Sequence, residues 1–203
     1  MGAALLAAPA LAAPSFAQGR GPVNGHGSSY AAELAPVPTN HVTGSGDVSL
    51  ELHGNRATIT LTATGLVDSV HAMHIHIDGQ GRCPTAAEAG THNGNTAIST
   101  VDGHPAYGMI GTSLTTSGDT SPSSALAIDR FPTGSSYTYS RTIKLSGMAN
   151  DSLRDGTAVV VVHGIDYNGN GTYDFDSLGA SQPDPSLPLE ATAPALCGVL
   201  TAR

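Results

Sequence analysis

Between His71 and Cys83 the chain reads HAMHIHIDGQGRC, which places three of its nine histidines within six residues. Neutral imidazole is a ligand for copper and zinc, and imidazole near neutrality also carries protons. Side chains alternate along an extended strand, so His74 and His76 leave one face together while Met73, Ile75 and Ile77 leave the other. That spacing offers two ligands with no distortion of the backbone, and two do not make a tight site. His92, in AGTHNGN, and His163, which ends VVVVH, are the available third and fourth. The competing reading is a chance cluster of solvated imidazoles.

The elements that must position these residues are strands. Charged residues make up 12% of the 203, and the 25 glycines and 13 prolines point to a loop-rich all-β domain rather than a long helical bundle. VSLELHGNRATITLTATGL alternates on both sides of His53-Gly54-Asn55, which predicts two antiparallel strands joined by a tight turn, with His53 a turn residue. SYTYSRTIKLSG and TAVVVVHGI read as two more strands, the second apolar enough for the interior, and a short strand is expected around Cys197. Residues 78–124 read as a loop longer than a connection requires, a common setting for function.

Composition excludes some partners. The net charge is −8 and the eight basic residues are scattered, so no stripe suits nucleic acid or an anionic membrane surface. The apolar run over residues 1–17 reads as a signal peptide, with Ser15 and Ala17 as the small pair before the cut; the alternative is an Ala/Pro tail. It is too short and proline-broken to span a bilayer. Residues 18–41 read as a flexible leader and residues 42–203 as the domain. Export to an oxidising compartment makes the two cysteines, Cys83 and Cys197, a disulfide, worth roughly 4–5 kcal/mol by loop entropy.

A second metal signal follows His163. Asp166, Asn168 and Asn170 alternate before Gly171, with Asp174 and Asp176 beyond, as in the opening of a calcium loop. Ser177 stands where that loop would carry Glu, and the other reading is an Asn/Gly turn with Asp caps.

Taken together, these motifs resemble the copper/zinc superoxide dismutases over about residues 42–200. The resemblance rests on His71 three residues before the His74/His76 pair, Cys83 opening the loop that holds His92, His163 after a run of valines, and a terminal Cys197-Gly-Val-Leu. It implies a Greek-key β-sandwich or barrel in which His74, His76, His92 and His163 hold copper, with His92 and His163 as the catalytic pair and His71 a structural neighbour. Superoxide would be the substrate, and homodimers are common among such relatives.

Two departures temper that expectation. The zinc set is incomplete, since beyond His92 the loop offers only His104 with Asp102 nearby, a pattern similar to the copper-only branch. Pro194 occupies the position, three residues before the second cysteine, where the family carries a superoxide-guiding arginine; Arg82, beside Cys83, is either a substitute or a solvated surface group. The leading expectation is an exported copper protein that disproportionates superoxide. Its rivals are a non-catalytic copper-binding module and a calcium-stabilised extracellular domain with vestigial histidines.

Overall fold

The computed structural model describes residues 27–203. The signal-peptide reading and the first part of the expected leader lie outside the described residues. From Ser28, however, the leader expectation is corrected. Strand β1 (Ser28–Pro36) sits in the middle of the main sheet, pairing with β2 (Ser45–His53) over most of its length. Its small residues hide the alternation, yet Tyr30, Ala31 and Leu34 are buried and the backbone is bonded to neighbours on both sides.

β2 and β3 (Arg56–Thr64) form the expected hairpin, with Gly54 at φ +65° in the turn and His53 closing β2 opposite Arg56. The inward positions Val48, Leu50 and Leu52 of β2 and Ala57, Ile59, Leu61 and Ala63 of β3 are buried, as a period of two requires. Next comes β4 (Met73–Asp78), which carries the histidine pair.

Residues 78–124, read as a long loop, contain structure of their own: a small hairpin, β5 (Gly90–His92) with β6 (Asn95–Ala97), a helix α1 (Thr100–Tyr107), and a strand β7 (Gly108–Ser113). Gly103 and Pro105 obscure a helical period in α1, whose start is instead fixed by a reciprocal cap between Ser99 and Asp102. β7 adds to the edge of β4, where Gly111 lies against the Ile77 side chain too closely for a Cβ.

The remaining elements are β8 (Ser136–Lys144), α2 (Gly147–Arg154), β9 (Val159–His163), the short α3 (Leu189–Thr192), β10 (Pro194–Val199) and β11 (Thr201–Ala202). All strand pairings are antiparallel, in the order β7-β4-β9-β10-β1-β2-β3-β8, with β11 also on β1. The sheet curls into a half-barrel, so that β2 and β3 share one core with Met73, Ile75 and Ile77 of β4 and Val160 and Val162 of β9.

The opposite face of β4 and β9 matters more for function. His74 pairs with Val161 and His76 with Val159, so these residues and His163 point the same way, into a second buried layer with Ile98, Tyr107 and Cys197. Segment 79–107 covers that face. The Cys83–Cys197 disulfide, with Cα atoms 5.8 Å apart, fastens the cover to β10.

Candidate metal centre

Register alone brings the three imidazoles together. His74 and His76 are two residues apart on β4, and His163 ends the neighbouring strand, so a ring nitrogen from each lies within 4.8 Å of the others. The ring centroids of His74 and His163 are 5.1 Å apart. All three side chains are buried.

Each ring is held from behind by a backbone carbonyl. His74 Nε2 meets Ala125 O at 3.1 Å, His76 Nδ1 meets Gly108 O at 2.9 Å, and His163 Nδ1 meets Thr192 O at 2.7 Å. A carbonyl only accepts, so the nitrogen facing it carries the proton. The opposite nitrogen is then an unprotonated lone pair. Those nitrogens, His74 Nδ1, His76 Nε2 and His163 Nε2, are buried and have no hydrogen-bond partner among the described residues. An unsatisfied buried polar atom costs on the order of 1–3 kcal/mol, so three converging ones are a standing cost to the fold that a bound cation would remove.

Electrostatics favours the same state. Burial, reinforced by His163, lowers His76 to about 3, and burial lowers His163 to about 4. His74 is pushed well below its ordinary value by burial, with the other two imidazoles adding to the effect. The rings therefore stay neutral at pH 7, the form in which imidazole binds metals. Phe131 packs edge-on against His74, and the Tyr107 ring lies 4.5 Å from His76.

His71 is not in this group. Its ring nitrogens face the carbonyls of His163 at 2.8 Å and Val67 at 2.9 Å, and the Tyr173 hydroxyl lies 3.2 Å from Nδ1. It braces the backbone of His163, the structural part expected of it. His92 is also outside the group of three. On β5, its Nε2 meets Asp102 Oδ2 at 2.6 Å. The Asp102 carboxyl is opposed by burial, but hydrogen bonds from Ser99 and His92 bring it below its usual value. His104 lies on α1 with its side chain exposed, close enough for its charge to bear on His76.

Arg82 is resolved in favour of the surface reading, since its guanidinium pairs with Glu88 and bonds Gln80 and the carbonyl of Cys83. Pro194 lies opposite His163 across the β9–β10 pair.

The acidic loop differs in kind. Asp166 spends its carboxylate on the amides of Gly169, Asn170 and Gly171, while Asn168 and Asn170 both donate to Asp174, which also accepts from the Asp176 amide. Among the described residues, no three acidic groups here converge as the histidines do. These hydrogen bonds form an Asp-capped turn. Beneath the loop, the buried Glu190 accepts the amides of Tyr167 and Asp174 at 3.1 and 3.0 Å, and burial raises its pKa. No sequence pattern links Glu190 to Asp166. Nor does any side-chain signal mark the three carbonyls behind the histidines.

No family model matches the chain, and no curated protein matches it significantly.

Proposed function

We propose that the chain is a copper protein of the superoxide dismutase type, holding one copper through His74 Nδ1, His76 Nε2 and His163 Nε2. The observation that carries this reading is the convergence of three buried, unprotonated and unpartnered nitrogens, each backed by a carbonyl that fixes its tautomer. Three imidazoles suit copper or zinc; the motif order resembles a copper family, and the incomplete zinc set favours copper alone. The strand order, with β3 beside β8 and β4 beside β9, supports a Greek-key sandwich of that type.

Bound copper would supply one-electron cycling that takes one superoxide to O2 and the next to H2O2. The chain's own residues then have separable tasks. The carbonyls of Ala125, Gly108 and Thr192 orient the ligands, and His71 holds the strand end that carries His163. His92, paired with Asp102, stands apart from the three as the group able to hold a proton at Nε2. Asp102 sits on α1, the helix whose Tyr107 packs on His76, so the proton-holding pair and the ligand set share a support. The Cys83–Cys197 disulfide supports an exported, oxidising setting.

Pro194, in place of the guiding arginine, favours a second reading in which copper is bound without fast turnover. Copper titration followed by a dismutation assay separates the two. One copper per chain with a rate that His163→Ala abolishes supports the enzyme; stoichiometric copper with no rate above free copper leaves a binding protein. Failure to retain copper overturns both.

A further inference from the structure

The turn between β1 and β2 spends a buried amide on segments far from it in the chain. Asn40 is fully buried, and its side chain makes three hydrogen bonds, none of them within its own turn. Nδ2 donates to the carbonyls of Ile98 at 2.9 Å and Pro194 at 2.8 Å, and Oδ1 accepts the Ile98 amide at 2.7 Å. Both N–H groups are therefore used. Asn tolerates left-handed backbone better than Thr does, yet Thr39, at φ +65°, and His41, at φ +55°, are the residues that adopt it here. For a β-branched residue such as Thr39 that conformation is strained. The turn accepts strain beside Asn40 and keeps the amide where it reaches two other segments.

Both of those segments bear on the metal centre. Ile98 is the joint between the β5–β6 hairpin and α1, with His92 on the hairpin before it and Asp102 in the first turn of the helix after it. Pro194 lies opposite His163 across the β9–β10 pair, two residues after Thr192, whose carbonyl holds His163 Nδ1. Asn40 thus bridges the joint where His92 meets Asp102 and the strand end that carries a ligand histidine. The joint has other ties: Asn93 to the Asp176 carbonyl at 2.8 Å, Asn95 to the Ser177 carbonyl at 2.7 Å, and Thr100 Oγ1 to the Thr192 carbonyl at 2.5 Å. Those side chains are exposed or half-buried, where water competes for the same groups, whereas Asn40 is out of reach of water.

We propose that Asn40 is the positioning residue of the His92–Asp102 pair, seating it against the strand end that carries His163. The 2.6 Å contact between His92 Nε2 and Asp102 Oδ2 requires hairpin and helix to meet in one fixed arrangement. Without the Asn40 amide, the Ile98 amide and the Ile98 and Pro194 carbonyls lose their bonds to it. Buried backbone groups so released are costly, so the joint moves away from β10 to reach water, and the pair parts or shifts with it. What the pair is for rests on the proposed reading of the site; how it is held does not, and the two are tested apart.

Proton NMR of the chelator-treated full chain reads the pair without metal. The proton between His92 Nε2 and Asp102 should resonate far downfield in the unaltered chain, and in Asn40→Ala it should move upfield or be lost to exchange with water. Leu61→Ala, which opens a cavity in the main core on β3, is the control: it destabilises the fold and should leave that resonance in place. Asn40→Asp has the same size, still accepts the Ile98 amide and, when ionised, donates to neither carbonyl. It should show the same change, and it carries the test if Asn40→Ala does not fold. In copper-loaded protein the Asn40 variants should keep copper affinity within about twofold and lose about tenfold or more in dismutation rate. A resonance untouched in the folded variants, a shift matched by Leu61→Ala, or an undiminished rate would overturn the proposal. A displaced resonance in a protein whose unaltered chain retains no copper or shows no dismutation would sink the proposed function and leave Asn40 as the residue that seats the pair.

Discussion

Two stretches of this chain carry ligand-type residues at metal-like spacing, and they fold to opposite ends. At the β4–β9 site three imidazoles are buried with one ring nitrogen each left over. In the loop after His163, Asp166 has taken three backbone amides and Asp174 is shared among two asparagines and the Asp176 amide. One region holds buried lone pairs that the fold leaves without a partner; in the other, exposed carboxylates accept hydrogen bonds that shape a turn. What sets the histidine site apart is that its lone pairs are both buried and without a partner among the described residues. Spacing alone does not report it.

That contrast can be broken most sharply by copper titration. His163→Ala should weaken copper binding by about a hundredfold or more, while Asp174→Asn should leave it within about twofold, as competition against a chromophoric chelator would show. Comparable losses would mean the loop is part of the site.

Acid gives the next largest effect. In the unfolded chain an imidazole takes up a proton below its ordinary 6.5, whereas folded His163 resists until about 4. The stabilisation is therefore complete above pH 6.5 and is lost as pH falls toward 4, by about 3 kcal/mol from His163 alone. Urea unfolding of the metal-free protein at pH 7 and pH 4.5 measures it, and His163→Ala should reduce the dependence while His74 and His76 keep part of it.

Glu190→Ala should cost about 2 kcal/mol, because the amides of Tyr167 and Asp174 lose a buried acceptor, with copper binding little changed. A coupled loss of copper affinity would show that the loop transmits to the site. Smallest of all, millimolar calcium should shift unfolding of the metal-free protein by less than about 0.5 kcal/mol. A clear calcium-dependent rise in melting temperature would restore the loop as a cation site.

Much of the frame was legible in the sequence for reasons that are local. The β2–β3 hairpin follows from alternation around Gly54, and β9 from a run of valines that could only be buried. β1 was missed because SSYAAELAP is mostly small residues, and its place in the sheet comes from partners on either side of it. α1 and β7 were missed because Gly103, Pro105, Gly108 and Gly111 suppress any period, and their order comes from a cap, a disulfide-pinned cover and an open strand edge. His92 was legible as a ligand type, but its Asp102 partner comes from a helix that the sequence concealed.

The sequence by itself determined that His74 and His76 leave β4 on one face, because a strand repeats every two residues and nothing distant can change that. It also limited the disulfide to Cys83 and Cys197, the two cysteines it has. Only the tertiary structure decided that His163 arrives beside them, since that depends on the register of β4 against β9. It decided as well which nitrogen of each ring is free, because the carbonyls of Gly108, Ala125 and Thr192 come from three separate segments, and backbone groups leave no mark in a sequence until folding aims them.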